Sequence, residues 1–163
     1  MEESTKAQMI LKTNATTEQR CEQEEETHLA LRQLPDNEVD AALAWALEQS
    51  DSTMHWFVLP LIGNHFQNRK TLIPLIRKCL LSDDPLVATA AIACLTNLRD
   101  KSSDTERVVR ELHNTLTSPW SKVITLGYLL LCHSCKDSES ILIEIANSGD
   151  VLAGEARNYL SGL

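Results

Sequence analysis

The sequence predicts an all-α fold, a short stack of about four helix pairs. Composition is the first reason. Aromatic residues make up 4% of the 163 residues, and there are only 5 Gly and 5 Pro. A sheet-rich fold would lack the residues it prefers. The second reason is a recurring turn. Turns begin at Ser50-Asp51, Ser82-Asp83, Ser118-Pro119 and Ser148-Gly149-Asp150, so successive starts lie 32, 36 and 30 residues apart by subtraction. Such spacing suits a helix-turn-helix unit. The third reason is a stripe that repeats in register. Val87, Val123 and Leu152 are each followed four residues later by a small residue, Ala91, Gly127 and Ala156, and eight residues later by Leu95, Leu131 and Leu160. That spacing puts the three positions on one helical face, and the small residue lets two helices approach closely. The first unit fits least well, with His55, Leu59 and Gly63 in those places.

Each element follows from this frame. Apolar pairs Leu43/Leu47, Leu75/Leu80, Leu112/Leu116 and Ile141/Ile145 mark the first helix of each unit. Helices are expected over residues 37–48, 52–65, 69–81, 84–98, 104–116, 119–133, 138–147 and 151–160. Pro85 and Pro119 fall in first turns, where a missing N–H costs nothing. Pro60 and Pro74 fall inside helices and should kink them. Ser103-Asp-Thr-Glu106 matches a capping box. Residues 1–35 read as an acidic N-terminal extension, partly disordered, with a short helix near 27–34. Residues 36–163 read as the helical repeat domain.

Residues 71–100 carry the clearest unit: Pro74 in the first helix, then Asp84-Pro85-Leu86-Val87, Ala90-Ala91 and Leu95. This resembles a HEAT repeat. The resemblance covers about 125 residues and implies a short α-solenoid, a right-handed superhelix whose second helices line the concave face. Such arrays usually hold another macromolecule.

Charge is uneven. Residues 1–40 hold ten acids and four bases, a net of −6; residues 41–163 hold thirteen and eleven, a net of −2; the sum is the chain's −8. The acid concentrates around Glu22-Gln23-Glu24-Glu25-Glu26. It reads as a solvated tail, or as an arm that meets a basic partner or imitates nucleic acid phosphate. Nucleic acid is disfavoured as a ligand, because bases occur only in pairs such as Arg69-Lys70, Arg77-Lys78 and Arg107/Arg110. No apolar run approaches the roughly 20 residues that span a bilayer. The start, MEESTKAQMILKTN, lacks a basic segment and a long apolar core, so a cytoplasmic protein is expected.

The sequence predicts no catalytic constellation. It has no phosphate-cradling glycine loop and no Gly-x-Ser-x-Gly elbow. None of the five histidines forms a His-Glu pair, which the HEAT-like hydroxylases use. The basic concave face of the HEAT-like glycosylases is also missing. Cys132-His133-Ser134-Cys135 could hold zinc or cycle as a redox pair, but no second ligand pair stands at suitable spacing. Five cysteines, an odd number, read as reduced thiols, with Cys79 and Cys94 in the core and Cys21 in the acidic segment. No metal site and no cofactor is expected.

If Val87, Ala90, Ala91, Cys94 and Leu95 face the core, then Thr89, Ile92 and Thr96 face out, matched by Thr125, Tyr128 and Cys132 and by Phe57, Pro60 and Asn64. The expected protein-binding groove is therefore Trp56, Phe57, Ile92, Tyr128 and Arg157, with filling of gaps between helices as the alternative. Trp120 shares that ambiguity. The function expected is a non-catalytic protein-binding module: an adaptor, an inhibitor or a toxin-neutralising, immunity-type protein. The alternatives are an enzyme accessory such as a HEAT-like pigment lyase, or an assembly subunit that forms homo-oligomers through its terminal repeat, since the chain ends Tyr159-Leu160-Ser-Gly-Leu163 with little polar capping.

Overall fold

The computed structural model describes residues 4–15 and 20–162, with the side chains of Arg20 and Cys21 outside the description. Every element in it is helical: α1 (Lys6–Asn14), α2 (Arg20–Leu31), α3 (Asp36–Glu48), α4 (Ser52–His65), α5 (Ile73–Cys79), α6 (Pro85–Asn97), α7 (Ser103–Thr115), α8 (Pro119–His133), α9 (Lys136–Asn147) and α10 (Ala153–Ser161). All eight expected helices are present, and α4 and α8 have the expected bounds. No helix among the described residues is long and apolar enough to cross a membrane.

Local chemistry sets the starts. Asp51 accepts from Thr53 N at 2.9 Å to open α4, and Asp84 accepts from Leu86 N at 2.9 Å to open α6. Two expectations shift. Pro74 sits in the first turn of α5, behind a 3-10 turn at Lys70–Leu72, and so starts a helix instead of kinking one. The cap of α7 is Ser102, whose hydroxyl accepts from Thr105 N; Glu106 is thereby released for other partners.

Packing follows chain order. α3 packs on α4, α5 on α6, α7 on α8 and α9 on α10, while α4, α6, α8 and α10 contact one another in succession. Small residues stand at the close approaches. A Cβ on Gly63 would lie 3.3 Å from Cys94 Cα, and one on Gly127 would lie 2.3 Å from the Tyr159 ring. One apolar core runs from α1 to α8; a second, built on Val123, Leu126, Leu130, Leu142, Ala146 and Ala156, joins α8 to α9 and α10.

The segment expected as a partly disordered extension has helical, packed parts. α1 packs on α2 and α3, and α2 on α4. Ala7, Leu11 and Leu31 are fully buried in the main core. Thr5 and Gln8 form a capping box on α1, and Glu38 on α3 accepts from Ala7 N at 3.1 Å. Several acids are therefore spoken for. Glu24 accepts from Asn64 at 2.8 Å, and Asp36 pairs with Arg69 at 2.7 Å. The acidic composition suggested a solvated tail, but part of the charge joins one helix to the next.

Candidate functional site

The expected groove does not open to solvent. Phe57 is buried, and Ile92 and Tyr128 are fully buried. Trp56 is half-buried, and only Arg157 is exposed, with its Nη2 donating to Ala146 O at 2.9 Å. The reason is position. α6 is covered by α4, α5 and α8, and α8 by α6, α7, α9 and α10. Nine of the thirteen residues of α6 are buried. The core assignment of Val87, Ala90, Ala91, Cys94 and Leu95 stands, since all five are buried. The open strip of α6 is Leu86, Ala93 and Asn97. That is one residue, or about 100°, away from the expected one. The misleading signal was the threonines. Thr89 donates to Pro85 O at 2.7 Å and Thr96 to Ile92 O at 2.8 Å, so both satisfy themselves on their own helix while buried.

Tyr128 belongs to a buried polar chain. Its hydroxyl donates to Asp100 O at 2.9 Å and lies 3.1 Å from His133 Nε2; His133 Nδ1 lies 3.2 Å from Glu106. Burial pushes the Tyr128 phenol well above its ordinary range. Asp100 itself is 4% exposed. Its carboxylate accepts from Arg77 Nε (2.9 Å) and Nη2 (2.7 Å), Thr105 Oγ1 (2.7 Å) and Ser102 N (3.2 Å). Burial alone would raise this carboxyl; the hydrogen bonds from Arg77, Thr105 and Ser102 outweigh it and hold the group below its ordinary value.

The two thiols of the Cys-x-x-Cys run do not share a helical face. Ser134 between them takes φ 53°, ending α8, so Cys132 is buried in α8 while Cys135 caps α9. Burial raises Cys132 and Cys79 to about 11. Cys135 moves the other way, lowered by hydrogen bonds from Ser138 and by Arg110.

A cavity of about 510 Å³ opens between α8, α9 and the α9–α10 turn. Val123, Leu126, Ile145 and Leu152 line it, with Lys122, Glu144 and Asp150 also on its wall. Ile141 lines it at 42% exposure, and beside it Val151 is 93% exposed. These are large apolar surfaces for water to cover. His113 also lines the cavity. Thr125 donates to Lys122 O at 2.7 Å and so accepts from His113 Nδ1. Burial, then Lys122, holds His113 below its ordinary value. The sequence did carry a signal for this site: Ile141 and Ile145 recur at i, i+4 while Ile143, between them, points elsewhere and is also exposed. At the other end of the molecule, Glu25, His28 and His65 come together with donor atoms within 4.8 Å of one another. No protein-family model, curated protein or solved structure matches this chain.

Proposed function

We propose that the chain is a short HEAT-like α-solenoid, wound as a right-handed superhelix, that holds another protein and performs no chemistry of its own. The succession of contacts from α4 to α10 supports the array. So does a device that recurs at the ends of α6 and α8. Each ends in a non-glycine residue at positive φ, Arg99 (55°) and Ser134 (53°). The next residue, Asp100 or Cys135, meets an arginine of the preceding first helix, Arg77 or Arg110.

The apolar cavity between α8 and α9 carries the functional reading. Its occupant is a helical segment of a partner protein, with a bulky apolar anchor flanked by Lys or Arg. The anchor fits among Val123, Leu126, Ile145 and Leu152, and the bases meet Glu144 and Asp150. The chain's net charge of −8 favours the same partner.

A displayed peptide library selected on the full chain tests this. Selected peptides should pair a bulky apolar residue with basic ones. Fluorescence polarisation with a synthetic copy should show Ile145→Lys weakening binding roughly tenfold or more at any salt. Glu144→Lys, on an exposed position, should weaken it mainly at low salt. Peptides that bind Ile145→Lys as tightly as wild type would place the site elsewhere.

A further inference from the structure

α2 places Glu24, Glu25 and His28 on one face, because residues three and four apart are helical neighbours. That face meets the last turn of α4, where His65 stands. The His28 and His65 rings stack with centroids 4.3 Å apart, and Phe66 packs edge-on against His28 at 5.5 Å. His65 Nε2 lies 3.1 Å from Glu24 and 3.8 Å from Glu25. Nδ1 of His28 is buried with no hydrogen-bond partner among the described residues. A buried imidazole nitrogen left unpaired is costly, and so calls for an explanation.

We propose that Glu25, His28 and His65 bind a divalent transition-metal ion, zinc by preference, and that the ion clasps α2 to the end of α4. Two imidazole nitrogens and one carboxylate oxygen suit zinc and its neighbours, whereas calcium and magnesium want oxygen shells. Zinc at about 2.0–2.2 Å from each ligand holds tetrahedral donors about 3.4 Å apart. Glu25 and His65 stand at 3.8 Å, and all three donors lie within 4.8 Å. Glu25 is exposed and can rotate to close the difference. Water fills the fourth position. Neutral imidazole is the ligand form. His65 must carry its proton on Nδ1 so that Nε2 offers its lone pair. Glu24, held by Asn64, then remains beside the ion as extra negative charge.

The inference is independent of the protein-binding reading. Zinc alone, titrated calorimetrically into the full chain without a histidine tag, should bind at one ion per chain and raise the melting temperature. Glu25→Gln, His28→Gln and His65→Gln should each weaken binding roughly tenfold or more. Glu25 is exposed, so its variant keeps the fold and suffices if a histidine variant unfolds. Cys132→Ser/Cys135→Ser should bind as wild type. Cobalt in place of zinc should show no thiolate charge-transfer band. Absence of binding, wild-type affinity in Glu25→Gln, or loss of the ion with the two cysteines would overturn the assignment.

Discussion

Replacing Asp100 by Asn tests the buried polar chain at its centre. The side chain keeps its shape and loses its charge. Each carboxylate oxygen now accepts two bonds: Oδ1 from Arg77 Nη2 and Ser102 N, Oδ2 from Arg77 Nε and Thr105 Oγ1. Placed at Oδ1, the amide NH2 faces two N–H donors and two bonds are lost; placed at Oδ2, it faces Arg77 Nε while the Thr105 hydroxyl can turn to accept, so at least one of the four bonds is lost and those that remain no longer meet a charge. A hydrogen bond to a charged group is worth about 1.5–3 kcal/mol. The loss is smaller on the arginine side, because Arg77 is 37% exposed and water can replace its partner. The expected destabilisation is about 2–4 kcal/mol at pH 7. Acid should erase it. The folded carboxyl is held below its ordinary value, so its contribution is complete above about pH 4 and is lost as pH falls through the lower folded value. Urea unfolding of both proteins from pH 7 to pH 3 measures the gap, which should narrow below about pH 4. A gap under 1 kcal/mol at pH 7, or one that widens in acid, would refute the reasoning.

Two further outcomes follow from the same geometry. Gly127→Ala should lower stability by up to about 2 kcal/mol in a thermal melt, because crowding toward the top of the range of about 1–3 kcal/mol outweighs the helix-propensity gain of about 1 kcal/mol. The new Cβ would meet three atoms of the Tyr159 ring at 2.3–2.5 Å, so a small ring rotation does not relieve it; a raised melting temperature would sink this. Cys135 should react with iodoacetamide roughly tenfold or more faster than Cys79, Cys94 or Cys132 at pH 8, read by peptide mass spectrometry. Its thiol is lowered by Ser138 and Arg110 while burial raises the other three, and equal labelling of Cys132 would contradict the account.

The helices were legible because their signals are local. Apolar spacing, Asp51, Asp84, Pro85 and Pro119 mark ends that the structure keeps. α1 was not legible, because its core contribution is two residues, Ala7 and Leu11, in a polar stretch. The local signal for α2 begins only at Thr27, which leaves Glu24 and Glu25 in an acidic stretch and hides their meeting with His65, about 40 residues away. The ridge failed for a different reason. Periodicity tells which residues share a face, yet it does not tell how many faces are covered. A helix flanked on three sides, like α6, hides Ile92 as thoroughly as Ala91. In such a helix the hydroxyls of Thr89 and Thr96 return to the backbone, and polarity stops reporting exposure.

The recurrence at the ends of α6 and α8 explains why Cys135 differs from its fellow thiols. Both helices close through a residue at positive φ, with the amide after it returning to a carbonyl of the helix: Asp100 N to Leu95 O, five residues back, at 3.0 Å, and Cys135 N to Leu129 O, six residues back in a wider turn, at 3.1 Å. In the first copy that position carries a carboxylate gripped by Arg77 on two nitrogens. In the second it carries a thiol, with Arg110 Nη2 at 4.0 Å. Thr105 serves Asp100 from the following helix, as Ser138 serves Cys135. The surroundings therefore favour an anion in both copies, whatever side chain stands there. A carboxylate satisfies that demand permanently and locks the turn. A thiol satisfies it only when ionised, so the same backbone device that stabilises the first copy leaves a reactive group in the second. Arg110 is shared with Glu106, which keeps it beside the thiol and limits how tightly it can grip. The fold's own repetition thus converts a structural anchor into a chemically distinct position through one change of residue type.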